Sequence, residues 1–366
     1  VDSQAIESNA RVLKNFIDNE CLLMAVVKAD GYGHGAETVA KAALRGGANN
    51  LGVATLQEGI ELRKAGLVCP ILLLGNLTNV NELGACFHWD LMPTLSSMRE
   101  ALLCQNIAEG SGKKFQVHLK VDTGMTRLGC DLKDAHGLFN SINSLKNLRL
   151  EGIYSHLALA DIDLHDDKCV GTSLQQKRFE KLLSILPLRE KSLCVHLANS
   201  AATIRDRRLH FDMVRVGLAL YGQSPVNHFH SNLVLKSAMS VKARVTLLRS
   251  VPAGIGVGYG HAFKTQRDSL LAVVGIGYAD GVSRALSGKI SVLFKGNFLP
   301  QVGAIAMDQL VIDVTENPEI KVGSIVTLLG SDGSQCITPK HWSDVSGSIP
   351  WEILCGFKNR LPRVVV

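Results

Sequence analysis

Residues 22–47 read LLMAVVKADGYGHGAETVAKAALRGG. The first six are apolar and read as a buried strand, Lys28 is the first charge, and Gly31, Gly33 and Gly35 crowd the positions that follow. From Ala36 onward apolar residues fall three and four apart, until the pair Gly46 and Gly47 stops the helix. Strand, break and helix in that order make one βα unit. A buried ammonium is costly unless it is paired or has lost its proton, so Lys28 needs a reason to stand where it does.

The same texture recurs through the first 220 residues. Apolar β-like runs are expected at 22–27, 51–54, 70–75, 90–94, 115–121, 150–155, 193–198 and 211–217, with helical stretches between them such as 55–66. Eight such units in this length predict a closed N-terminal (β/α)8 TIM barrel of the α/β class rather than an open sheet. GQSPVNHFHSN, 222–232, reads as a linker. Beyond it SVKARVTLLRSV alternates apolar and polar residues, and LLAVVGIG, ISVLFKGNFLPQV, QLVIDV and SIVTLL follow with turn residues between them. Helical spacing is nearly absent there, which predicts a mainly antiparallel β domain with a hairpin turn at KGN, 295–297. The expected domains are 1–228, with the first few residues packed on the β domain, and 229–366.

Composition narrows the function. A chain of 366 residues, 46% hydrophobic, buries sizeable cores, and a net charge of +6 is modest. The densest basic run, IRDRRLH at 204–210, contains Asp206 and no interleaved aromatic, so it reads as a solvated face and no nucleic-acid partner is expected. Apolar runs such as CPILLLG fall far short of the roughly 20 residues that span a bilayer, so no membrane partner is expected. No signal peptide is read at residue 1, although the first residue is not Met and a trimmed leader stays open. Nine scattered cysteines without C-x-x-C spacing fit a reducing cytoplasm. HFH at 228–230 lacks a third ligand, so no metal is expected, and GIGVGYG at 254–260 departs from G-x-G-x-x-G at Tyr259.

In a parallel barrel the reactive residues sit just past the strands. Those positions hold Lys28 after the first strand, Arg127 after the fifth, His156 after the sixth, Asn199 and Ser200 after the seventh, and Arg215 with Gly217 at the eighth. Such a mouth suits an anion, with the small residues after strands seven and eight receiving a phosphate. A desolvated lysine beside arginines favours the neutral amine, which attacks aldehydes. Phosphate and aldehyde together point to pyridoxal 5′-phosphate, joined to Lys28 as a Schiff base. The competing reading makes DGYGHG a tight turn with a surface lysine before it.

AVVKADGYGHG, KVDTGMTRLG, SHLALAD, HLANSAA, MVRVGLALYG, GVGYG, GYADG and AIAMDQL resemble, in order, the motifs of the alanine racemase family. The resemblance spans essentially the whole chain. It implies a pyridoxal-phosphate isomerase that interconverts L- and D-alanine, supplies D-alanine for peptidoglycan, and works as a homodimer whose sites are shared, the β domain contributing to the partner subunit's site. It makes Lys28 and Tyr259 the two catalytic bases, Tyr259 acting from the partner. Tyr32, Ser200, Gly217 and Leu218 resemble phosphate-binding positions, and Asn199 belongs to the same cofactor-binding set. Arg215 is similar to the arginine facing the pyridine nitrogen, Arg127 to the one near the phenolic oxygen and substrate carboxylate, and His156 to the histidine that links the arginine to the tyrosine. Met307 and Tyr278 match substrate-side positions, while Arg284 and Asp161 resemble entrance positions.

Two bases on opposite faces of the α-carbon suit racemisation, because one proton leaves and another returns on the other side. Arginine keeps its proton, so a pyridine nitrogen facing it stays unprotonated. Trp351 stands where the family usually has tyrosine against the phosphate, and Ala306 where many relatives have cysteine. Lys120 matches a lysine carbamylated in many members. Asp308 reads as a structural loop residue. The rival readings are a racemase of broader substrate range, a non-catalytic carrier of the cofactor, and a decarboxylase on a related two-domain fold.

Overall fold

A computed structural model describes residues 1–162, 170–187, 193–225 and 233–366. Most of the expected linker, its HFH and the expected boundary at 228/229 lie outside the described residues. The chain divides into two compact units, one of Ser3–Gly31 and Gly35–Lys236, the other of Val1–Asp2, Tyr32–His34 and Ser237–Val366.

The first unit is a ring of eight parallel strands: β1 Leu22–Val26, β2 Asn50–Val53, β3 Ile71–Asn76, β4 Met92–Leu95, β5 Phe115–Asp122, β6 Leu148–Tyr154, β7 Cys194–His196 and β8 Met213–Val216. Each pairs with its sequence neighbours, and β1 closes on β8 with Leu22 opposite Met213. These are the eight runs expected from the sequence, and a closed barrel followed in the chain by an antiparallel β unit is the expected fold.

Side chains alternate across a strand, so every second residue enters the barrel. Met24, Leu72, Met92, Tyr154 and Met213 pack together inside it. His118 and Lys120 on β5, His196 on β7 and Arg215 on β8 are also buried. The interior therefore holds an apolar cluster beside a polar set, and Tyr154, stacked on His196, belongs to both. Gly152 on β6 is required by this packing, because a Cβ there would meet His118 Nδ1 at 2.5 Å.

Helix boundaries follow local chemistry. Thr55 and Ser97 each open a helix with a capping box closed by Glu58 and Glu100. Helix Ala36–Arg45 buries Val39, Ala40, Ala42 and Ala43 and ends at Gly46. A helix over Ser3–Phe16, which the barrel pattern did not announce, precedes β1 and buries Ile6, Asn9 and Leu13.

The main sheet of the second unit has seven antiparallel strands: β9 Val241–Val251, β10 Ser269–Val274, β11 Ser291–Phe294, β12 Asn297–Val302, β13 Leu310–Asp313, β14 Ile325–Asp332 and β15 Gln335–Ile337. Long β9 pairs with β14 through its first half and with β10 through its second, so six of the strands close on themselves. Lys295 and Gly296, at φ 49° and 80°, form the expected hairpin turn between β11 and β12. Two helices, Pro339–Ser346 and Pro350–Gly356, depart from the expected absence of helix. They are too short for a periodicity, and what specifies them is proline in the first turn, a Thr338–His341 capping box and Gly347 at a left-handed stop.

Candidate active site

Past β1 the chain turns left-handed. Ala29, Asp30, Gly31 and Tyr32 have φ of 53°, 52°, 59° and 52°. Gly33 and Gly35 also have positive φ, as the glycine spacing predicts, but three of the left-handed residues carry a Cβ. Each of those is disfavoured by roughly 1–2 kcal/mol, so something must hold them. Gly31 N–H donates to the Val27 carbonyl and Gly35 N–H to the Asp30 carbonyl, both at 2.9 Å. Asp30 Oδ1 accepts from Ala36 N–H at 2.8 Å, and Glu58 Oε1 accepts from Ala29 N–H at 2.7 Å. Lys28 opens this turn half-buried, directly after the fully buried Val27.

Arg215 is 3% exposed and its guanidinium organises the polar side chains inside the barrel. Nη1 donates to His196 Nδ1 at 3.0 Å. Nη2 is shared among the Ser155 carbonyl at 2.8 Å, the Leu197 carbonyl at 3.1 Å and His156 Nδ1 at 3.1 Å. Arginine only donates, so both imidazoles accept at Nδ1 and carry their hydrogen on Nε2. His196 Nε2–H then donates to His118 Nδ1 at 3.0 Å. Burial, then the Arg215 charge, holds His118 down at about 3 and His196 well below its usual range. His156 is lowered by burial, then by Arg215, Lys120, Arg127 and Lys28. Arg215 is itself lowered to about 10 by burial, which leaves it charged at neutral pH. Tyr154 stacks on His196 at 4.6 Å, and its hydroxyl meets Thr94 Oγ1 at 2.8 Å.

Lys120 follows His118 on the same face of β5, with Nζ 5.4 Å from the centre of the Tyr154 ring. Burial lowers it to about 8, with Arg215, Arg127 and Lys28 adding to the effect and Asp122 opposing it. Among the described residues no hydrogen bond or ion pair reaches its Nζ. Arg127 is exposed in the loop after β5. Asn199 caps the helix Ser200–Arg205 by accepting from Ala202 N–H at 3.1 Å. Buried Ser200 Oγ accepts from Gly217 N–H at 2.9 Å and from Ala219 N–H at 3.4 Å, so its own hydrogen is left to donate. Leu218 is buried beside Gly217. A set of basic side chains, neutral imidazoles and a free hydroxyl hydrogen fits an anionic, phosphate-bearing group.

In the second unit Tyr259 is 71% exposed and lines a pocket with Gly258, Val273, Ala304, Ala306, Gln309 and Val311. Tyr278 and Met307, both exposed, are brought together, since Tyr278 N–H donates to the Ala306 carbonyl and Ala279 N–H to the Met307 carbonyl, each at 3.0 Å. Arg360 Nη2 reaches Asp308 at 2.7 Å and Arg360 Nε reaches Asp280 at 3.3 Å, which ties the loop down as the structural reading of Asp308 expects. Buried Tyr32 has its phenol pushed up by desolvation, and Trp351 is half-buried on helix Pro350–Gly356. Arg284 and Asp161 are exposed.

His118, Tyr154, His196 and Glu58 were missed from sequence. The first three sit within strand runs, where alternation could have flagged polar residues facing inward, two residues from Lys120 or at a strand's end. Glu58 was concealed in a capping box.

Two family descriptions match, the alanine racemase N-terminal domain over residues 1–225 and the C-terminal domain over 238–365. Alanine racemase of Prochlorococcus marinus is 66% identical over all of this chain and 95% of its own length, and that of Synechocystis sp. is 48% identical over all of this chain and 98% of its own. The solved alanine racemase from E. faecalis superposes with a TM-score of 0.93 at 34% identity, covering 100% of this chain and 97% of that one. The one from Bartonella henselae, with covalently bound pyridoxal phosphate, gives 0.88 at 33% identity, covering 100% and 98%. With both halves matched, and relatives this similar from end to end, the chain belongs to the alanine racemase family.

Proposed function

We propose that this chain interconverts L- and D-alanine with pyridoxal 5′-phosphate held on Lys28, as a homodimer in which Tyr259 serves the partner's site. Tyr32, Asn199, Ser200, Gly217, Leu218 and Trp351 would hold the phosphate end, Arg215 would face the pyridine nitrogen, and Arg127 the phenolic oxygen. When bound, the cofactor supplies an electron sink for the substrate's α-carbon. Lys28 and Tyr259 take and return a proton at Nζ and at the phenolic oxygen, on opposite faces of that carbon. Arg127 and the backbone at Met307 orient the substrate carboxylate. Arg215 stays protonated and keeps its donors fixed between His196 and His156, so it offers a donor and no proton to what it faces.

The buried Arg215 flanked by two neutral imidazoles carries this reading, since the arrangement is built around a cation that does not titrate near neutral pH. Exposed Tyr259, Tyr278 and Met307 supply the aromatic and apolar side chains that a partner-facing set needs. Lys120, lowered to about 8, has the neutral-amine chemistry that carbamylation requires. The thiols of the described cysteines are free, in keeping with a reducing cytoplasm, where D-alanine would feed peptidoglycan. Among the described residues no helix is long and apolar enough to cross a membrane.

The test follows the α-hydrogen of L- and D-alanine in deuterated water, with borohydride reduction and peptide mapping on the same protein. Exchange from both enantiomers with the label on Lys28 is expected. A labelled protein that leaves alanine unexchanged would instead be a carrier, and faster turnover of serine or lysine would reassign the substrate.

A further inference from the structure

Glu58 lies in the first turn of helix Leu56–Lys64, on the βα unit after the one that carries Lys28. Its Oε2 accepts from Ala54 N–H at 2.7 Å and Thr55 N–H at 3.1 Å, the reach expected of a capping box. Its Oε1 points the other way, to Ala29 N–H at 2.7 Å. Glu100 offers a comparison from the same barrel. Its Oε2 meets Ser96 N–H at 2.6 Å and Ser97 N–H at 3.1 Å, while its Oε1, among the described residues, accepts only from the Asn76 side chain, at 3.3 Å. The two glutamates cap alike, and Glu58 alone of the pair ties its cap to the left-handed turn.

The Ala29 N–H belongs to the peptide group that joins Lys28 to Ala29. Fixing its direction fixes ψ of Lys28 and φ of Ala29, and with them the course of the backbone at Lys28. Ala29 is an exposed residue with a Cβ at φ 53°, where the intrinsic preference runs against the observed conformation. A carboxylate acceptor is stronger than a neutral one and is aimed at that single amide. We propose that Glu58 is a positioning residue for Lys28, holding the left-handed turn that aims the lysine. This rests on the reading that Lys28 carries pyridoxal phosphate.

The experiment uses holoprotein and follows, by absorbance, the rate at which hydroxylamine strips the cofactor, with kcat and KM for alanine measured alongside. Glu58→Gln keeps the size but turns an amide NH2 toward one set of donors. It should strip at least about tenfold faster and lose kcat, with KM changed by less than about twofold, as expected when a reacting group is misaimed rather than substrate binding lost. Glu100→Gln, which removes the matching cap, should leave stripping within about twofold of the parent. Adding Ala29→Gly to Glu58→Gln should recover stripping to within about threefold, because glycine takes positive φ freely. Equal stripping in the two glutamine variants, or no recovery with glycine, overturns the proposal. Should Glu58→Gln fail to fold, Ala29→Val with Glu58 intact gives the same readout, since a β-branched residue resists this φ; unchanged stripping then overturns it. A borohydride label on a residue other than Lys28 in the parent would instead remove the reading beneath it.

Discussion

His118 and His196 meet ring to ring, Nδ1 to Nε2 across 3.0 Å, and both imidazoles are buried and neutral. The pair hangs from Arg215, whose charge fixes the direction of both hydrogen bonds.

Acid should unfold the protein through this pair. The unfolded chain binds a proton at each imidazole below about pH 6.5, whereas the folded His118 resists until about 3. The unfolded state therefore holds more protons across that window, and stability falls as pH drops below 6.5. Each imidazole contributes up to roughly 1.4 kcal/mol per pH unit. Urea midpoints at pH 7.5, 6 and 5 check this, and a midpoint flat across the three would count against buried neutral histidines.

Gly152→Ala should be felt at His118. The added methyl falls within 2.5 Å of Nδ1, so either the imidazole or the strand must move. Overpacking of this kind costs about 1–3 kcal/mol. Urea denaturation gives the loss, and the His118 ring signals in NMR should shift while those of His136, on the exposed outer side of helix Leu132–Ser144, stay put.

Lys120 should take up carbon dioxide in a pH-dependent way. Neutral amine attacks the carbon, an N–C bond forms, and one proton leaves to solvent. With the amine at about 8, the neutral fraction grows as pH rises through that value. Intact mass in bicarbonate should show one added CO2 at pH 9, lost on acidification and absent in Lys120→Ala. A parent mass unchanged at pH 9 would leave Lys120 unmodified.

Shared sites predict complementation between two inactive subunits. Lys28→Ala and Tyr259→Phe homodimers should each lose most activity, on the order of 10²-fold or more for removal of a catalytic base. A verified heterodimer of the two contains one site with both native residues, so it should regain up to half of the parent kcat. No recovery in that heterodimer would mean that each chain is self-contained.

The sequence of this protein determined more than its family. Eight apolar runs with helical stretches between them read as parallel strands joined by crossover helices, and eight such units in a little over 200 residues suit a closed barrel rather than an open sheet. The residues just past those runs gave Lys28, His156, Ser200 and Arg215, since strand ends are where a barrel exposes reactive groups. The KGN turn was equally readable, because two residues at positive φ favour a sequence with glycine.

Tertiary structure decided what those residues do to each other. No spacing in the chain brings His118 on β5 to His196 on β7, or both to Arg215 on β8, because the ring of parallel strands makes neighbours of residues 78 and 19 positions apart. The left-handed run at Ala29, Asp30 and Tyr32 was unreadable for the same reason. Local preference opposes it, and hydrogen bonds donated to Val27 and the distant Glu58 and accepted from Gly35 and Ala36 help hold it in place.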